Sequence, residues 1–188
     1  MSSLNGPNTL TLLRVLMVPF FVWCLSLDGL SRWLTLGVFL LAALTDLVDG
    51  WWARRSSLVT DFGRLADPIA DKALTGAAWI GLSLVAGLPP IATALILIRE
   101  LGITVLRLRV ASQAVVAADR GGKLKTTLQV VTISVWLVAP SLEVWLGESW
   151  AFLLWVPLMS LLWLTVAITT LSGVRYLGVL LPALRSRA

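Results

Sequence analysis

The chain has no histidine and a single cysteine, Cys24, among its 188 residues. With no imidazole and its one thiol set inside an apolar run, the chain lacks the ligands of a zinc-type site. A lone cysteine forms no intrachain disulfide and says nothing of redox compartment, so Cys24 reads as a small buried hydrophobe. Charge is also scarce. Charged residues make up 13% of the chain, against about 25% in an ordinary soluble domain. Hydrophobic residues make up 58%, and the mean hydropathy is +0.90. These values exclude an ordinary soluble domain and place the chain in a bilayer. The sequence shows no repeat, low-complexity tract or linker. No A-x-A-like cleavage site follows the apolar run from Val15 to Leu27, so that run is expected to be a first membrane helix rather than a signal peptide.

Apolar runs bounded by charge or by Pro and Gly clusters predict six helices, over about 9–27, 33–55, 64–87, 90–110, 124–141 and 150–181. Helices satisfy every backbone polar group internally, as a spanning segment must. The expected fold is an all-α integral membrane protein, one domain over residues 1–188, with six transmembrane helices. Six spans put both termini on one side, and the connections 28–32, 88–89 and 142–149 on the other. Of the fifteen Lys and Arg residues, only Arg32 falls in those connections, and 142–149 carries Glu143 and Glu148 instead. The positive-inside rule then puts both termini in the cytoplasm. The formal charge of +5 reports this orientation, and nucleic acid is not an expected partner. Trp33, Trp145 and Trp150 fall at outer helix ends and fit an interfacial belt, while the other tryptophans are expected to pack inside. Residues 111–122 form the longest break in hydrophobicity, either an interfacial stretch or a loop.

Ionisable groups at membrane depth are expensive, so each is a functional candidate. The stretch TDLVDGWWARRSSLVTDFGRLADPIADK holds four aspartates of this kind. On the second helix, Asp46, Asp49, Gly50 and Ala53 lie within an arc of about 100°. On the third, Gly63, Asp67 and Asp71 recur every fourth residue, within about 80°. Four carboxylates at one site repel each other unless a hard cation neutralises them, which points to magnesium or manganese. Ion pairs with Arg54, Arg55, Arg64 and Lys72 are the structural alternative. Pro68 disfavours a helical Asp67, so the third helix is expected to begin only near Asp67.

The spacing D-x2-D-G-x2-A-R-x8-G-x3-D-x3-D, filled here by Asp46, Asp49, Gly50, Ala53, Arg54, Gly63, Asp67 and Asp71, resembles the defining pattern of the CDP-alcohol phosphotransferases. The likeness extends through PNTLTLLR (Pro7 to Arg14), DPIADK (Asp67 to Lys72), RELGITVLR (Arg99 to Arg107) and GKLKTTLQ (Gly122 to Gln129), so it runs from residue 7 to about 129. It implies an enzyme of the inner (cytoplasmic) membrane that uses CDP-diacylglycerol and two Mg2+ ions, with Mn2+ as the alternative. The expected metal ligands are Asp46, Asp49, Asp67 and Asp71, with Asp71 also the proton acceptor. Gly50, Ala53, Arg54, Thr60 and Gly63 are implied for the CDP moiety, together with Asn8 and Thr11. Asn8 has an ordinary helix N-cap as its alternative. Arg99, Arg107, Lys123 and Lys125 lie towards the cytoplasmic side and suit an acceptor that carries phosphate, expected to be glycerol 3-phosphate. Inositol phosphate, inositol or serine are the alternative acceptors. For Arg99 the competing reading is an ion pair with Glu100. The family likeness also implies a homodimer.

Overall fold

The computed structural model describes residues 6–27, 31–56, 61–110 and 121–185, with side chains described within 13–27, 32–45, 72–106, 124–147 and 152–178. It is all-helical there: α1 (Gly6–Leu25), α2 (Ser31–Ser56), α3 (Asp61–Val85), α4 (Pro90–Val110), α5 (Gly121–Leu146) and α6 (Glu148–Arg185). Helices α1 and α2, α3 and α4, and α5 and α6 are joined by short connections that make antiparallel neighbours. Helix α1 packs on both α2 and α3, α6 packs on α4 and α5, and α2 meets α5 to close the bundle.

Two glycines make the turns possible. Gly87, with φ 65, follows α3, and Gly147, with φ 74, is the whole connection between α5 and α6. Both are in the left-handed region that costs a side chain with a Cβ. The Gly147 N–H donates to the Glu143 carbonyl at 3.1 Å, satisfying an end-of-helix acceptor.

Phe21 and Cys24 of α1, Phe39 and Ala42 of α2, Trp79 and Leu82 of α3, Trp136 of α5 and Leu162 of α6 form a continuous buried core. Cys24 is fully buried, as expected of a small hydrophobe. The outward faces are also apolar: Leu84 is 78% exposed, Ile98 71% and Phe152 73%. Exposed apolar surface of this kind on long helices is what a lipid environment stabilises. Within the described residues, Leu124–Leu146 and Phe152–Gly178 are long and apolar enough to cross a membrane. Shorter apolar segments run over Leu13–Leu25, Arg32–Thr45 and Lys72–Val85.

Several expected boundaries move. Helix α3 begins at Asp61 and runs through Pro68, so Asp67 is inside the helix. Helix α5 continues past Pro140 to Leu146. Each proline removes one helical N–H bond, a loss that neighbouring helices and local adjustment can absorb in a membrane bundle. The connection expected over 142–149 shrinks to Gly147, with Glu143 inside α5 and Glu148 opening α6. Arg32 lies in the first turn of α2 rather than in a connection, and is 7% exposed. Trp33 and Trp145 are exposed, as interfacial positions require, and Trp79 and Trp136 are buried. Trp23 and Trp163, expected inside, are 57% and 45% exposed, because their faces of α1 and α6 meet no neighbouring helix. The Trp150 side chain and residues 111–120 lie outside the described residues.

Candidate active site

Asp46, Asp49, Gly50, Ala53 and Arg54 all lie on α2, and Gly63, Asp67 and Asp71 on α3, so the helical register assumed for the row holds along the backbone. Four residues separate Ser56 from Asp61, which limits the distance between the two helix ends to about 18 Å. Helices α2 and α3 also touch. The side chains of these eight residues lie outside the described set, and so does Thr60 altogether. Asn8 and Thr11 are on α1, whose first residue is Gly6. Asn8 is therefore inside the first turn rather than before it, which removes the ordinary N-cap reading; the side chains of both lie outside the described residues. Among the described residues no group of His, Cys, Asp or Glu could hold a metal ion.

Directly after the aspartates of α3, the structure gathers a second polar group. Lys72, the residue after Asp71, places its Nζ 2.8 Å from Oε2 of Glu100 on α4. Oε1 of the same carboxylate accepts from Arg99 Nη1 at 2.8 Å and from Lys125 Nζ of α5 at 2.7 Å. Gln129 Nε2, one turn beyond Lys125, donates to that oxygen at 3.3 Å and to Thr169 Oγ1 of α6 at 3.2 Å. Arg99 Nη2 donates to Ser172 Oγ of α6 at 2.7 Å. Residues of α3, α4 and α5 thus converge on Glu100, which is 6% exposed, and α6 joins the network through Arg99 and Gln129.

The helices reach this point for local reasons. Gly173 gives Arg99 its room: a Cβ there would stand 2.8 Å from Arg99 Cγ and 3.1 Å from its Nε. The guanidinium stem therefore lies directly on the α6 backbone. Deeper in the bundle, Thr132 and Thr165 share a 2.7 Å hydrogen bond that aligns α5 with α6.

The expected ion pair of Arg99 with Glu100 is present, and the arrangement is larger than a pair. Three cations surround one carboxylate, so the described side chains carry a charge of +2 here. A cluster with that excess favours an anion with several oxygens. Arg99 and Lys125, both expected near an acceptor phosphate, are brought together. Arg107 and Lys123 are on α4 and α5, with side chains outside the described residues. The sequence reading missed Lys72 and Glu100 as parts of this site. Glu100 did carry a signal, as a carboxylate in an otherwise apolar helix.

The profile of the family described as CDP-alcohol phosphatidyltransferase matches residues 4–171. A Mycobacterium tuberculosis protein named probable phosphatidylglycerophosphate synthase is 47% identical over 138 residues, covering 71% of this chain and 66% of that protein. A Rickettsia typhi protein named CDP-diacylglycerol--glycerol-3-phosphate 3-phosphatidyltransferase is 34% identical over 176 residues, covering 92% of this chain and 94% of that one. A Bacillus subtilis protein of the same name is 36% identical over 148 residues, covering 71% and 77%. With a profile match across most of its length and relatives at these identities, the chain belongs to the CDP-alcohol phosphatidyltransferase family.

Proposed function

We propose that this chain is a membrane enzyme of phospholipid synthesis that transfers the phosphatidyl group of CDP-diacylglycerol to glycerol 3-phosphate, releasing CMP and forming phosphatidylglycerol phosphate. Both substrates appear in the names of the Rickettsia and Bacillus relatives. The observation that carries the acceptor assignment is the +2 cluster of Lys72, Arg99, Lys125 and Glu100, which begins one residue beyond the aspartate row.

In this reading the acceptor hydroxyl attacks the phosphorus attached to diacylglycerol, and the bond to CMP breaks. Enzymes of the family generally use divalent metal ions. Four aspartates in a chain without histidine form an all-oxygen donor set, which fits magnesium, with manganese as the other hard ion. Asp46, Asp49, Asp67 and Asp71 would hold two such ions, which supply charge neutralisation and alignment for phosphoryl transfer. Asp71, at the end of the row, takes the hydroxyl proton. Gly50, Ala53, Arg54, Thr60 and Gly63 hold the CDP moiety with Asn8 and Thr11. Arg99, Arg107, Lys123 and Lys125, with Lys72, hold the acceptor phosphate.

The same reading takes all 188 residues as one domain with six spans in the inner (cytoplasmic) membrane, with both termini and the site on the cytoplasmic side, and working as a homodimer. The distribution of Lys and Arg supports that orientation.

The test is CMP release by the purified protein from CDP-diacylglycerol with a panel of acceptors. Release with glycerol 3-phosphate is expected. Release with inositol phosphate but not with glycerol 3-phosphate would overturn the acceptor while leaving the family membership intact.

A further inference from the structure

Glu100 is a buried carboxylate on a membrane helix, a position that is costly unless the charge is compensated. Its compensation is larger than one partner requires. Oε1 takes Arg99, Lys125 and Gln129, and Oε2 takes Lys72. The two lysines come from α3 and α5 and meet at this one carboxylate. A lysine is a long flexible stem with a strongly hydrated head, and Lys125, near the start of α5, would extend towards the aqueous interface if this carboxylate did not hold it. Remove the Glu100 charge, and three cations within reach of one point repel each other and separate.

The partners of this carboxylate are themselves fastened. Gln129 is held by Thr169, and Arg99 is held by Ser172 and lies against Gly173. Glu100 therefore sits at a fixed point where the Lys72 and Lys125 heads meet. The charge count adds a second consequence. Among the described side chains three positive groups meet one carboxylate, an excess of positive charge that favours an anion with several oxygens. Without the carboxylate the same cations would have no common focus.

We propose that Glu100 is a positioning residue for the acceptor. It gathers Lys72, Arg99 and Lys125 into one group that binds the phosphate of a phosphomonoester. This rests on the reading above that the acceptor is phosphorylated.

The experiment compares wild type, Glu100→Gln and Glu100→Asp in purified form, reading KM for each substrate, kcat, and CDP-diacylglycerol binding. Glu100→Gln keeps the shape and loses the charge, and should raise the KM for glycerol 3-phosphate about tenfold or more. Its KM for CDP-diacylglycerol should stay within about twofold. Glu100→Asp restores the charge on a shorter stem and should recover part of the loss. A merely structural carboxylate predicts a different result, with both KM values and CDP-diacylglycerol binding failing together in each variant. That outcome, or an unchanged KM for glycerol 3-phosphate in Glu100→Gln, overturns the proposal. If Glu100→Gln does not fold, Glu100→Asp decides alone: a raised acceptor KM with normal CDP-diacylglycerol binding supports it, and no change overturns it. Wild type that turns over only another phosphorylated acceptor overturns the glycerol 3-phosphate assignment, and the same split in KM should then appear with that acceptor. Wild type that uses only an unphosphorylated acceptor overturns both.

Discussion

Trp136 and Glu100 are both nearly inaccessible, at 0% and 6% exposure, but they are buried among different partners. The Trp136 ring meets Trp155 edge-on with centroids 5.9 Å apart, and its Nε1 donates to the Ala86 carbonyl at 3.0 Å. Phe21 and Phe39 pack at 5.9 Å in the same core. Here the helices are held by shape, and the one polar atom of the indole is spent on a turn. Around Glu100 the residues reaching inwards are Lys72, Arg99, Lys125, Gln129, Thr169 and Ser172, and charge-assisted bonds do the holding. Apolar packing needs nothing from a ligand. A cluster whose described side chains carry surplus positive charge can take an anion. The tightly packed region therefore serves as the frame, and the charged region is where binding is expected.

The sharpest break should come at the aspartate row beside the charged region. Asn in place of Asp46, Asp49 or Asp67 should nearly abolish turnover at ordinary magnesium concentrations, and EDTA should do the same to wild type. A triple Asn variant fully active in EDTA would remove the metal site from the mechanism. Asp71→Asn should lose turnover yet keep CDP-diacylglycerol binding, measured directly on the purified variant. Equal loss of both would make Asp71 chiefly a metal ligand.

Next comes a change confined to the frame. Trp136→Ala should cost about 3–5 kcal/mol of stability, since it empties a large buried volume and orphans the Ala86 carbonyl. Thermal unfolding in detergent is the measurement. At temperatures where the variant is folded, its KM for glycerol 3-phosphate should match wild type. A shifted acceptor KM would show that the two regions are not separable in this way.

Lys125→Ala and Lys72→Ala address the charged region in turn. Each should weaken glycerol 3-phosphate by about 2 kcal/mol, the scale of one charged bond, or roughly thirtyfold in KM. The KM for CDP-diacylglycerol should hardly move. If Lys72→Ala spares the acceptor and Lys125→Ala does not, then Lys72 serves Glu100 alone.

Why some of this was legible beforehand is a matter of range. Helix number and approximate extent follow from local hydrophobicity, and the aspartate row is a pattern within two consecutive helices. The departures are places where a tertiary neighbour overrides a local rule. Pro68 and Pro140 remain inside helices despite their missing N–H groups. Glu143, polar enough to look like a loop residue, stays in α5 and accepts from Trp155 Nε1 at 3.4 Å. Lys72, Glu100 and Lys125 are farther apart in sequence than any helical spacing connects. The packing of α3, α4 and α5 is what brings them together, and no motif spans them.

The smallest expected effect is Gly173→Ala, and it tests whether the charged region depends on close backbone approach as well as on charge. Every charged group remains in this variant. The added methyl would stand 2.8 Å from Arg99 Cγ and 3.1 Å from Nε, and Cγ, near the root of the stem, cannot swing clear as a flexible tip would. The guanidinium must then move away from α6, lengthening its 2.7 Å bond to Ser172 and its 2.8 Å bond to Glu100. Alanine is a better helix former than glycine by about 1 kcal/mol, so α6 itself should not be weakened, and thermal stability in detergent should stay close to wild type. The acceptor KM is expected to rise a few fold, on the order of 1 kcal/mol or less, with the CDP-diacylglycerol KM unchanged. An acceptor KM equal to wild type would mean that the position of Arg99 against α6 is not needed for phosphate binding, and that the two lysines carry it.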